Sequence, residues 1–248
     1  MKTKKLYIRF SKKEDTQNIL NFYNNNEHEY VAGRDPAVLK KMAQGGAVTL
    51  IEDEKGKIVA TSISYPMTQK NDQGIEHHRW SEIGSTRVSL GGLGLFKVLF
   101  SAQLIKAFFL EPPEEKFVIE IDHDNKHSKH VFEKIGCEDF EDTGDIQNLA
   151  EQTMDPDDTG AEVDWYFFPA EKMHLLAQNM LNFKKNPQIT NKKTGEVYEL
   201  DFSRCQLFTV FEKELRVLAN KPIKTPQNSN KRLPIKQASQ QFLNHFKP

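Results

Sequence analysis

The sequence predicts an α/β fold, with one mixed central sheet flanked by helices and an α+β extension at the C-terminus. Three observations predict it. Over residues 1 to 145, short apolar runs of period two alternate with amphipathic runs of helical period. The order is strand, helix, helix, hairpin, strand, helix, strand, helix, as expected of a single sheet covered by helices. A glycine cluster, Gly91-Gly92-Leu93-Gly94, separates a strand from the most apolar run of the chain.

The first strand is marked by Leu6, Ile8 and Phe10 alternating with Tyr7 and Arg9. Ser11, with Glu14 three residues on, predicts a capping box opening a helix through Ile19, Leu20, Phe22 and Tyr23. A second helix is predicted from Pro36 to Met42, with Asp35 as N-cap, Pro36 in the first turn and Gly45-Gly46 as the stop. Residues 47–52 and 58–66 are β-branched runs around a turn at Gly56, the pattern of a hairpin. Residues 68–78 are polar and predict a loop, leading to a strand from about Trp80 to Val88. After the glycines a helix is expected to about Leu110, closed by Pro112-Pro113. Lys97, Gln103 and Lys106 interrupt this stretch, which is too short and polar to cross a bilayer. Phe117 to Ile121 predicts a short strand, and Val131, Phe132 and Ile135 mark a helix ending at Gly136.

Three segments are expected: a catalytic domain over 1–145, an extension over 146–220 packed on or beside it, and a basic tail over 221–248. Residues 141–160 are acidic and rich in turn formers; Val163 to Phe168 predicts a strand. Ala170 to Phe183 carries an apolar stripe of Met173, Leu176, Ala177 and Met180, and residues 191–202 predict a hairpin around Lys193-Thr-Gly195. Ser203 is expected to cap a helix running to Ala219. The tail holds six Lys or Arg, no acidic residue and four prolines, a composition expected to stay unfolded.

Lys plus Arg (34) nearly balances Asp plus Glu (35), which removes a global electrostatic drive toward nucleic acid or an anionic membrane. The tail's only aromatics, Phe242 and Phe246, give little basis for base stacking. Cys137 and Cys205 form no CxxC pair, so a reducing, cytoplasmic setting is expected. His123, His127 and His130, with Asp122 and Asp124, cluster in sequence, and His127 and His130 stand three apart at a helix start; a ligand set also needs fixed supporting contacts around it, and no metal is expected.

A strand, a glycine turn and a helix bring free backbone N–H groups and a positive helix end to one point, which suits a phosphate chain. Here the chain resembles the GNAT acyltransferase family over most of residues 5–140. The family's signature, Arg/Gln-x-x-Gly-x-Gly/Ala, is matched by Ser89-Leu90-Gly91-Gly92-Leu93-Gly94, with Ser89 departing at the first position. A second match follows strand Phe117-Val-Ile-Glu-Ile121, at Asn125-Lys-His-Ser128 and Phe132-Glu-Lys-Ile-Gly136-Cys137. The resemblance implies acetyl-CoA, or another acyl-CoA, as co-substrate, its pyrophosphate held by main-chain N–H groups from Leu90 through Gly91, Gly92, Leu93 and Gly94 to Leu95. It implies an oxyanion N–H near Arg87 or Val88, and Asn125 and Ser128 beside the cofactor; Asn125 or Ser128 is equally suited to cap the last helix.

By the same resemblance the reaction is direct attack of a primary amine, small-molecule or peptide, on the thioester. Glu82 in Trp80-Ser-Glu-Ile-Gly84 is the first candidate for general base, with an ion-paired strand residue as the plain alternative. Phe132 stands where the family's proton-donating tyrosine is frequent. The second functional expectation is a catalytically degenerate module of this shape that binds CoA or a protein partner.

Overall fold

A computed structural model describes residues 3–27, 30–31, 33–70, 73–74, 76–110, 116–140, 146, 150–151, 157 and 162–220. The elements are β1 (Lys4–Phe10), α1 (Thr16–Asn24), α2 (Pro36–Gln44), β2 (Val48–Asp53), β3 (Ile58–Lys70), β4 (Glu76–Val88) and α3 (Leu95–Leu110). They continue with β5 (Lys116–Asp122), α4 (Lys126–Ile135), β6 (Glu138–Asp139), β7 (Val163–Phe168), α5 (Met173–Lys185), β8 (Gln188–Thr190), β9 (Val197–Asp201), α6 (Gln206–Thr209) and α7 (Glu212–Asn220). Among the described residues the strands form one sheet in the order β6-β7-β5-β4-β3-β2-β1-β9-β8. Its pairings are antiparallel except β4 with β5 and β1 with β9.

The sheet runs across residue 145. β7 lies between β5 and β6, and β9 extends the opposite edge beside β1, so residues on both sides of that point build the same layer.

Helices cover both faces. Leu6, Ile8 and Phe10 of β1 are buried beneath α3, α5 and α7, while α1 and α2 bury Ile19, Phe22 and Leu39 against Leu50, Ile63 and Tyr65 on the other face. Period two in the strands decides which side chain meets which layer. α3 is buried on nearly every side, which explains its near-continuous apolar sequence. Two of its interrupting polar residues have internal partners: Gln103 accepts from Thr49, and Lys106 donates to the Gly46 carbonyl above the Phe10 ring.

Several local expectations change. Ser11 is buried and donates to the Ala43 carbonyl at 3.0 Å instead of capping; Asp15 Oδ2 takes the Lys12 N–H at 2.7 Å. Asp35 does cap α2, accepting from Ala37 N–H at 2.6 Å behind Pro36. Much of the predicted polar loop is hairpin, because ladder bonds between β3 and β4 pair Thr68 with His78 and Lys70 with Glu76 whatever their side chains. The helix expected over 203–219 is broken at the β-branched Thr209-Val210, and Phe211 at the joint is fully buried. The tail 221–248, Pro112-Pro113 and most of the acidic stretch 141–160 lie outside the described residues.

Candidate active site

β4 and β5 are parallel neighbours that pair only at Trp80 with Lys116, Ser81 with Phe117 and Glu82 with Val118. Beyond that point they run on, to Val88 and Asp122, without pairing to each other. β5 is held on its other side by β7 from Phe117 to Asp122. On its other side β4 is held by β3 through a bulge: Arg87 faces Thr61 and Gly84 faces Ile63, so Ser85 and Thr86 together oppose Ser62. A bulge bends its strand and increases the local twist, which carries β4 away from β5.

Ser85 sits at that bulge with φ of 47°, the one non-glycine residue of positive φ among the described residues. Such a conformation is costly unless its surroundings impose it. Three donors do so: Tyr23 hydroxyl to the Ser85 carbonyl at 2.6 Å, and Arg34 Nε at 3.0 Å and Tyr65 hydroxyl at 2.9 Å to its Oγ.

The parted strands open on a cavity of about 220 Å³. Because Ile83, Ile119 and Ile121 face the core beneath α3, Glu82 and Glu120 project to the opposite side, that of α1 and α2. Tyr30, Arg34, Glu82 and Glu120 line the cavity from that side. Phe96 from α3, Asn125 at the cap of α4, and Ser128 and Phe132 within α4 line it from the other. The cavity therefore passes through the sheet where the strands part.

Its electrostatics are asymmetric. Glu82 is fully buried, and its Oε1 accepts from Arg34 Nη2 at 2.6 Å. Burial works against the Arg34 cation, but the charges of Glu82, Tyr65 and Glu120 more than offset this and raise its pKa. Burial, with the charge of Glu82, pushes the Glu120 carboxyl up to about 8 against the pull of Arg34. The Oε2 atoms of Glu82 and Glu120 are both buried without a hydrogen-bond partner. Burial also pushes Tyr65 up to about 12, which keeps its hydroxyl a donor to Ser85.

A group whose folded pKa is raised stabilises the fold below its unfolded pKa, and that contribution is lost as pH rises through the folded value. For Glu120 the window runs from the ordinary carboxylate range to about 8. Glu120→Gln lacks this loss. Its melting temperature should rise against wild type by about 5 °C or more between pH 5 and pH 9, read by scanning calorimetry.

The other anticipated residues are placed as follows. Arg87 donates to the carbonyls of Tyr23 (2.6 Å) and Asn26 (3.1 Å), and Val88 is partly exposed at the strand end; neither lines the cavity. Ser89 turns its hydroxyl back to the Val59 carbonyl at 3.1 Å. Asn125 caps α4, accepting from Ser128 N–H at 3.0 Å, and also lines the cavity. Phe132 packs edge-on against Phe96 and Phe100, at centroid distances of 5.0 and 5.3 Å.

Leu90 packs partly buried against the core, and Leu93 and Leu95 are buried in it; they anchor the glycine turn. Gly92 and Gly94 have φ of +84° and +68°. A Cβ on Gly94 would meet nothing within 4 Å, the kind of opening that lets a ligand approach main chain. Gly92 has a different constraint, for its Cβ would lie 2.7 Å from Asn191 Oδ1. The turn between β8 and β9 packs on the glycines. Asn191 Nδ2 donates to the Gly91 carbonyl and Lys192 N–H to that of Gly92, each at 3.0 Å. Lys193 Nζ stands 3.9 Å from the point a Gly91 Cβ would occupy.

Sequence reasoning missed Arg34, Glu120, Ser85 and the contact from Asn191. For Glu120 a signal existed: a carboxylate interrupting the apolar run Phe117-Val-Ile-Glu-Ile121, on the same strand face as Val118. Among the described residues there is no group of three or more His, Cys, Asp or Glu placed to hold a metal. No helix among them is long and apolar enough to cross a membrane.

No family model matches the chain, and no curated protein sequence matches it. Among solved structures, it is similar to a spermidine N-acetyltransferase from Vibrio cholerae at 15% identity and a TM-score of 0.45, over 68% of this chain and 95% of that one. It is similar to the GNAT domain of S. lividans PAT at 14% identity and a TM-score of 0.45, over 65% and 88%. A third is an N-acetylglutamate synthase from Neisseria gonorrhoeae complexed with coenzyme A and N-acetyl-glutamate, at 12% identity and a TM-score of 0.44, over 66% of this chain and 34% of that one.

Proposed function

We propose that this chain is an acyl-CoA-dependent N-acyltransferase that moves an acyl group, acetyl in the first instance, onto a primary amine by direct attack. One observation carries the proposal: a cavity crosses the sheet where β4 and β5 part, with buried carboxylates on one side and the ends of α3 and α4 on the other. Two reactants can reach one point from opposite faces, and holding them there accounts for much of the rate enhancement such a reaction needs. The open main chain at Gly94, the N-terminus of α3 and Lys193 suit the CoA phosphates, with Asn125, Ser128 and Phe132 along the arm. CoA supplies an activated thioester; the protein supplies position, polarity and a proton acceptor. The residues around the Ser85 bulge, at the cavity wall, are candidates to stabilise the oxyanion in place of Arg87 and Val88. No hydroxyl is present at Phe132, so the thiolate leaves without a proton from that position.

Acetyl-CoA and CoA are expected to raise the melting temperature, by mass action on the native state. A CoA-release screen against amines, amino acids and peptides, with acetyl-, succinyl- and longer acyl-CoAs, reads the activity. Binding with no release across the whole panel would favour the degenerate module; no binding at all would sink both readings.

A further inference from the structure

Among the described residues, the α1–α2 side of the cavity holds two carboxylates, Glu82 and Glu120, and one guanidinium, Arg34. Glu82 has its countercharge in place, with Arg34 Nη2 at 2.6 Å, whereas Glu120 has no ion-pair partner among the described residues. With both carboxylates ionised, these three side chains together carry one surplus negative charge. The Oε2 atoms of both are buried and accept no hydrogen bond. Buried acceptors are nearly always satisfied, because leaving one unmade forfeits its hydration. An alkyl ammonium brings three donors and one positive charge, which answers both deficits together. An alcohol brings one donor and no charge, and an anion would be repelled.

We infer that the acceptor enters on this side as an alkyl ammonium held by both carboxylates, and that Glu120, not Glu82, takes its proton. The inference rests on the acyl-transfer reading above. One ammonium proton passes to Glu120, freeing the nitrogen lone pair. That pair forms the N–C bond to the acyl carbon while the C–S electrons leave on the sulfur, which takes the nitrogen's second surplus proton. The products are the amide, CoA thiol and a protonated Glu120 that returns its proton to solvent.

The groups around Glu120 agree with the role. Burial, Glu82 from β4 and Glu151 disfavour its ionised form, Arg34 favours it, Tyr30 lines the same cavity, and its register partner on β7 is Trp165. Its resting value of about 8 is close to the pH of use, where a general base is most effective.

Infrared titration of the full-length chain reads this carboxyl directly. A protonated carboxyl band is expected at pH 7 that fades near pH 8 in wild type and is missing from Glu120→Gln. Adding n-butylamine, protonated throughout this range, should lower the midpoint by about one pH unit or more, and 1-butanol should leave it in place. A midpoint indifferent to n-butylamine overturns the inference, whether or not the chain turns over acyl-CoA.

With whichever amine releases CoA, Glu120→Gln should lower kcat by about 10²-fold at pH 7.5 and erase the rise in rate through pH 8. Its CoA-induced rise in melting temperature should persist, and Glu120→Asp should restore part of the rate. Glu82→Gln, with one negative charge fewer beside Glu120, should move the pH profile to lower pH. Wild-type rate and profile in Glu120→Gln overturn the assignment. A wild-type chain that neither binds nor releases CoA defeats the acyl-transfer reading, and the butylammonium titration then decides the cation site by itself.

Discussion

Replacing Arg34 by Met should lower the stability by about 3–5 kcal/mol, the cost of leaving a buried carboxylate without its countercharge. Both partners are inside, with side-chain exposures of 5% for Arg34 and 0% for Glu82, so water cannot take the place of the guanidinium. The same change removes one of the two donors to Ser85 Oγ, that at 3.0 Å, and the cation stacked 4.5 Å from the Tyr65 ring. Adding Glu82→Gln should recover a large part of the loss, because a neutral amide no longer demands a counter-ion, and the excess over additivity measures the pair. Urea denaturation of the two single variants and the double variant reads it. A loss below roughly 0.5 kcal/mol in Arg34→Met would mean the ion pair does not hold this wall together.

The second large effect is expected at Gly92. Valine there should lower stability by about 3 kcal/mol and abolish the rise in melting temperature caused by CoA. Two causes add. A β-branched residue is strained at φ of +84°, and its Cβ would stand 2.7 Å from Asn191 Oδ1. Asn191 cannot swing aside cheaply: it is buried, it donates to the Gly91 carbonyl, and its Oδ1 accepts from Lys193 and Thr194 N–H at 2.8 and 3.2 Å. Gly94→Ala meets open space and should show only the smaller backbone cost, about 1–2 kcal/mol. Asn191→Ala should relieve Gly92→Ala and do nothing for Gly94→Ala. Equal losses in the two glycine variants would show that the turn from the extension does not clamp this loop.

From the residues alone, the alternation in Leu6, Ile8 and Phe10, the Asp35-Pro36 helix start and the near-continuous apolar run of α3 determine an α/β sheet and much of the order of its elements. These are local signals, in which a residue's own conformational preference and its neighbours at two, three or four positions suffice. Asn125 as a helix cap is legible for the same reason. The helix break at Val210 and the extension of β3 and β4 through polar residues are not, because ladder bonds and the burial of Phe211 override local preference.

The candidate site depended on tertiary structure far more. Glu82 was visible as a carboxylate on a strand, yet its pairing with Arg34, 48 residues away, is a product of the fold. The strained Ser85 owes its conformation to donors from α1, the segment before α2 and β3, each distant from Ser85 in sequence. The glycines announced a turn, but the reason Gly92 in particular tolerates no side chain is Asn191, about a hundred residues on. The sequence by itself determined most of the elements and the faces they bury, because those are set largely by short-range chemistry. Both Glu82 and Glu120 line the cavity, and tertiary structure alone decided which of them has an ion-pair partner among the described residues, because charge pairing and desolvation depend on through-space neighbours.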